Sequence, residues 1–126
     1  MSEPIVFISH QRIKEGKLEG FKEQAREVAR TLEETKPGTV VFYAYLNEAG
    51  TEATVVHVFP DREAMDAHME GVMERAQAAY EYIEPQRMEI YGLPSDQTME
   101  VFKQSAEMGV GVTFEPEPLA GYLRLA

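Results

Sequence analysis

The chain has 126 residues, 44% of them apolar, a formal net charge of -10 and no cysteine. That length fits one domain that can bury a core unaided, while the missing cysteine excludes disulfide scaffolds, thiolate zinc sites and cysteine nucleophiles and fits a reducing cytoplasm. An excess of 22 acidic over 12 basic residues repels nucleic acid phosphates and anionic lipid; MSEPIVFISHQR makes a poor signal peptide, and no apolar run approaches the roughly 20 residues of a membrane span.

The apolar run IVFIS, residues 5–9, is too short for a helix and reads as a strand. Over residues 17–35 the period changes: Leu18, Phe21, Ala25, Val28 and Leu32 mark one helical face. The pairs Glu19/Lys22, Glu23/Arg26 and Glu27/Arg30 support the same helix from its polar side. Lys36-Pro37-Gly38 stops it. TVVFYAYL (39–46) and TEATVVHVF (51–59) are β-branched and aromatic, and Asn47–Gly50 is the turn that makes them a hairpin. Pro60 ends the second strand and Asp61 caps a second helix. Met65, Met69, Val72, Ala76 and Tyr80 mark one continuous buried face, with Gly71 inside it. Pro85 lies past the helix end, and RMEIYG (87–92) reads as strand four.

The order β-α-β-β-α-β is the split-βαβ, ferredoxin-like pattern of an α+β fold, with an antiparallel four-stranded sheet and both helices on one face. These strands are apolar on both faces: Val6 and Ile8 alternate with Ile5 and Phe7, and Val40 and Phe42 with Val41, Tyr43 and Tyr45. A sheet covered on one side only carries polar residues on the other. The simplest cover for the second face is the same face of another copy, so a homodimer is expected. Residues 1–93 form the domain and 94–126 extend it. The extension holds a helix capped by Ser95 and stopped by Gly109, a short strand at VGVTF, a non-sheet EPEP segment and an apolar ending.

The stretch His57-Val58-Phe59, Pro60-Asp61-Arg62, Glu63-Ala64-Met65-Asp66-Ala67-His68 resembles the antibiotic biosynthesis monooxygenase family of dimeric α/β barrels. IVFISHQRIKEGKLEGFKEQ resembles that family's first strand, turn and helix, and the likeness runs from residue 4 to about 93. Relatives often carry Glu in place of His57 and Trp in place of Phe59. The family includes oxygenases that use no cofactor, quinol oxygenases and haem-degrading enzymes. The helix histidine that some members carry shortly after position 68 has no counterpart between Gly71 and Glu74, so no haem is expected.

The candidates for chemistry follow from residue type and face. His57 shares a strand face with Val55 and Phe59 and is the candidate general base or donor; the bland alternative is a buried histidine bonded to a backbone carbonyl. His68, beside the apolar stripe of helix two, is either a second catalytic residue or a bridge from helix to strand. Phe59, Tyr43, Tyr45 and Ser9 are candidate substrate-binding residues. His10 alternates away from Phe7 and Ser9, so three histidines do not converge and no metal site is expected. Phosphate-binding glycine loops, HExxH and nucleophile-elbow motifs are missing, and no organic cofactor is expected. The resemblance implies a cofactor-independent monooxygenase acting on an electron-rich aromatic, a quinol or an anthrone-type compound. The competing expectation is a non-catalytic dimeric small-molecule-binding or stress-related protein of the same fold.

Overall fold

The computed structural model of the chain describes residues 3–125. Its elements run β1 (Ile5–Ile13), α1 (Leu18–Thr35), β2 (Val41–Leu46), β3 (Glu52–Phe59), α2 (Arg62–Met69), α3 (Val72–Ala79), β4 (Ile83–Tyr91), α4 (Asp96–Glu107) and β5 (Gly111–Glu115). The strands form one open sheet in the order β2-β3-β1-β4-β5. The first four neighbours pair antiparallel, as the ferredoxin-like pattern requires. The fifth strand, β5, adds in parallel to β4, so the sheet is five-stranded and mixed rather than four-stranded.

Two further differences from the sequence reading have local causes. The single helix expected after Asp61 is two helices. Gly71 has φ of 80°, a left-handed conformation that a helix interior cannot contain, and it caps the start of α3 instead. Strand four begins at Ile83, four residues early, and takes Pro85 into the sheet. The register slips at that point: His10 faces Arg87 while Gln11 faces Pro85, leaving Gln86 as an extra residue. A bulge is where a sheet tolerates a residue without an N–H.

The expected caps form. Asp61 accepts a hydrogen bond from the Ala64 N–H at 2.8 Å, and Ser95 Oγ accepts one from the Thr98 N–H at 3.2 Å. Asp66 also accepts from the Ser95 and Thr98 hydroxyls at 2.6 and 2.7 Å, which ties α2 to the first turn of α4.

One face of the sheet carries the helices and two apolar clusters. The first joins Ile5, Phe7, Phe59, Met65, Ile90 and Phe102. The second joins Ile13, Phe21, Ala53 and Ile83. Phe102 comes from α4, so the C-terminal extension completes the first cluster instead of hanging from it. The opposite face presents Val6, Ile8, Val56 and Val58, half-buried, and Tyr43 and Tyr45, exposed. At its centre His10 Nε2 lies 2.8 Å from Glu89 Oε1, and Thr54 Oγ1 lies 3.3 Å from His10 Nδ1. The His10 hydrogen bond holds the Glu89 carboxyl below its ordinary range. No helix among the described residues is long and apolar enough to cross a membrane.

Phe59 is fully buried, so Phe59→Ala lowers the unfolding free energy by about 3–5 kcal/mol in urea titration. Gly92 has φ of 99°, and a Cβ there would lie 2.9 Å from the Pro4 carbonyl oxygen. Gly92→Ala therefore costs at least about 1 kcal/mol; a neutral result for either variant would show that the packing at that site yields.

Candidate functional site

A cavity of about 180 Å³ lies between the two apolar clusters, under the helices. Its sheet wall is made by Phe7, Ser9, Phe42, Val55, His57 and Met88, and its helix wall by Gln24, Val28, His68, Val72 and Arg75, among others. Period-two alternation places the wall residues. On the covered face, Phe7 of β1 stands opposite His57 of β3, which stands opposite Phe42 of β2.

His57 is therefore held between two cross-strand aromatic rings. Phe7 stacks on it with centroids 4.6 Å apart and planes at 15°; Phe42 meets it edge-on at 5.2 Å. Its Nδ1–H donates to the Phe7 carbonyl oxygen at 2.9 Å. That bond selects the neutral tautomer with the lone pair on Nε2. Nε2 has no hydrogen-bond partner among the described residues, and no buried side-chain nitrogen or oxygen among them lacks one, so Nε2 keeps contact with the cavity space.

His68 arrives from α2, with its ring 5.1 Å from the His57 ring at 79° and 5.1 Å from Phe59. Its Nδ1 lies 2.8 Å from Thr39 Oγ1 in the turn before β2, which fixes the ring plane. The two histidines thus meet at one cavity, although they lie 11 positions apart in the chain. Arg75 completes the group. It bridges the break between α2 and α3, donating from Nη2 to the His68 carbonyl at 2.5 Å and from Nη1 to the Glu70 carbonyl at 3.0 Å.

The electrostatics follow from these surroundings. Burial lowers the His57 pKa to about 4, against a smaller upward pull from the Phe7 carbonyl, with Arg75 pushing it down further. Burial lowers His68 to about 3, helped by His57, Arg75 and Lys36. Both rings are neutral at pH 7. The Arg75 guanidinium is itself lowered by burial, yet arginine remains charged in proteins. Among the described residues no aspartate, glutamate or lysine lines the cavity, although the chain carries ten more acids than bases. The site therefore holds one cation, two neutral imidazoles, a buried serine and otherwise mostly apolar wall.

The other candidates fall in different places. Ser9 is on the sheet wall of the cavity, 3.4 Å from Gln11 Nε2. Phe59 is core behind His57 and His68, with ring contacts to both. Tyr43 and Tyr45 stack on each other at 5.9 Å on the opposite face of the sheet, because they pair with Val56 and Thr54 and not with His57. The structure does not bring them to the histidines. Arg75 was missed in the sequence. Its signal was its place on the stripe Val72, Arg75, Ala76, Ala79, where one cation interrupts an apolar helical face. No group of three or more His, Cys, Asp or Glu among the described residues could hold a metal ion.

A depressed folded-state histidine pKa makes stability full above the unfolded value of 6.5 and loses it as pH falls toward about 4 for His57 and about 3 for His68. Between pH 7 and pH 5 each histidine removes about 2 kcal/mol of unfolding free energy. Denaturant titrations at the two pH values read this directly, and His57→Phe removes its share of the difference. A slope unchanged in that variant would show that His57 is charged, or wet, when folded.

The chain matches the model of the antibiotic biosynthesis monooxygenase family over residues 4–81. No curated protein matches it. Among solved structures it resembles MupZ from Pseudomonas fluorescens, at 21% identity and a TM-score of 0.72 over 95% of each chain. It also resembles SnoaB, a cofactor-independent oxygenase from Streptomyces nogalater, at 14% identity and a TM-score of 0.60, over 75% of this chain and 96% of that one. A conserved protein from Methanosarcina mazei Go1 matches at 18% identity and a TM-score of 0.59, over 70% of this chain and 90% of that one. The likeness to MupZ thus spans α4 and β5 as well, whereas about a quarter of this chain lies outside the likeness to SnoaB. With the family model covering more than half of the residues, the chain belongs to the antibiotic biosynthesis monooxygenase family.

Proposed function

We propose that this protein is a cytoplasmic, homodimeric monooxygenase that needs no organic cofactor or metal and oxidises a hydroquinone with molecular oxygen. The observation that carries this reading is the His57 imidazole, locked by the Phe7 carbonyl so that a free Nε2 lone pair meets an acid-free, apolar cavity. Family membership and the oxygenase fold of SnoaB support the reaction class.

The chemistry needs little from the protein, because a deprotonated hydroquinone can reduce oxygen itself. His57 Nε2 takes the proton of one phenolic O–H. A ring with a pKa of about 4 is a weak base in the empty site. The phenolate formed beside it supplies the counter-charge that burial withholds, which raises that pKa when it matters. Arg75 contributes a positive field from the far wall. The phenolate gives one electron to oxygen, and the radical pair joins at a ring carbon as a peroxide. The His57 proton returns to the outer peroxide oxygen; the same ring carbon then gives up its hydrogen as a proton while the O–O bond breaks, and that proton joins the departing hydroxide. One oxygen atom stays in the product, a hydroxyquinone, and the other leaves as water. His68 and Ser9 orient the ring, and the apolar wall keeps bulk water from the anion.

Cavity size selects among the aromatic substrates. About 150 Å³ is enough for benzene, so about 180 Å³ suits one ring with small substituents better than a three-ring anthrone. The homodimer is supported by the valines and isoleucine left half-buried on the helix-free face. In that arrangement Tyr43 and Tyr45 belong to the subunit interface.

Oxygen uptake with a panel of single-ring hydroquinones is the direct test. The wild type turns over, and His57→Ala loses about 10²–10⁴-fold in kcat. Unchanged turnover in that variant removes His57 from the mechanism. Tight binding of the panel without oxygen uptake makes the protein a binding module.

A further inference from the structure

A second depression, of about 550 Å³, runs between α1 and the outer strand β2. We propose that it receives residues 116–125 of a second copy of this chain. The inference rests on the dimer proposed above and adds what each copy gives the other.

Three features of the groove define its occupant. Its base is apolar, with Ala25, Ala29, Phe42 and Ala44. Its lining includes Lys22, Arg26 and Arg30, four residues apart along one line of α1, and a single acid, Glu33; Lys22 also holds Glu19 at 3.2 Å. Among the lining residues alone, the sign of a chain of net charge -10 is reversed. Its outer side is an edge strand, β2, whose free backbone groups can take another extended segment. The occupant is therefore extended, acidic at one end and apolar beyond.

The segment after β5 has that composition. Pro116-Glu117-Pro118 sets one acid between two prolines that bar regular pairing, and Leu119-Ala120-Gly121-Tyr122-Leu123-Arg124-Leu125 follows. Arg124 lies 4.8 Å over the Tyr122 ring, as two residues on one side of an extended chain do. Leu123 and Leu125 then share the other side. Within one chain most of these side chains sit in solvent: Leu119 is 100% exposed, Tyr122 81% and Leu125 63%, with Leu123 at 37%. That exposure in one subunit is relieved by a surface on another.

Topology favours exchange between copies. The segment leaves β5, at the sheet edge opposite β2, about 19 Å away at four strand spacings. Two sheets packed face to face about a twofold axis along their strands place β5 of one copy over β2 of the other. The segment then emerges beside the partner's groove, with Glu117 toward its line of bases. The groove and the histidine cavity share Phe21, Ala25, Leu32, Phe42 and Ala44. A segment seated there packs on the wall of its partner's cavity, so the site is complete only in the pair.

The absence of native cysteine makes the test direct. Ala44→Cys is placed in one tagged chain; Leu119→Cys, Tyr122→Cys, Leu123→Cys or Leu125→Cys is placed in a second chain with a different tag. The two are mixed under mild oxidation. A disulfide between differently tagged chains at one or more of these positions is expected. Arg26→Glu in the groove chain slows its formation about tenfold at low salt, and Glu117→Arg in the tail chain recovers part of the rate. Sedimentation of the unaltered chain runs in parallel. A monomer there overturns both the dimer and this inference. A dimer that yields no inter-chain disulfide at any position, or whose double variant Ala44→Cys/Leu123→Cys closes only within one chain, overturns the exchange and leaves the dimer standing.

Discussion

The desolvation of two imidazoles between two apolar clusters governs everything else in this structure. One cluster is anchored by Phe59 and Phe102, the other by Phe21 and Ile83. Neither alone would close the space between sheet and helices. Together they leave a small hollow whose polar groups must be satisfied locally, and the Phe7 carbonyl does this for His57. That single bond decides which nitrogen keeps a lone pair, and burial decides that the ring is uncharged. Geometry and charge state at the site thus come from packing and not from a neighbouring carboxylate.

The distribution of charge sharpens the same point. A surface with 22 acidic residues surrounds a hollow that contains Arg75 and no acid among the described residues. An anion that forms inside meets one cation and no competing carboxylate, in a medium that screens poorly. Outside, acids outnumber bases, and the line of bases on α1 faces the groove beside β2.

Most of the framework was legible because period and punctuation are strong local signals. The strand alternation placed His57, Val55 and Phe59 on one face and His10 on the other, and the cross-strand pairs show both. Asp61 and Ser95 cap helices where their positions implied. What escaped was non-local or conformational. The stripe from Met65 to Tyr80 continues in phase across Gly71, so the pattern alone did not reveal that the glycine is left-handed. The parallel addition of β5 depends on α4 folding back over the first cluster, which no local window contains. The convergence of His57 and His68 likewise needed the strand-to-helix turn in three dimensions. Tyr43 and Tyr45 were grouped with the site by residue type, whereas strand parity sets them behind the sheet.

The extra residue at Gln86 has a consequence for how this fold can vary. Before it, Ile83 and Pro85 belong to the covered side of β4; after it, Met88 and Ile90 do, so odd positions give way to even ones within one strand. A single ribbon thereby serves both ends of the interior. Removing one residue here would turn either end inside out, whereas loops such as Asn47–Gly50 impose no such parity. Chain length in β4 is consequently as constrained as any buried side chain, and homologous sequences should change there in steps of two or not at all.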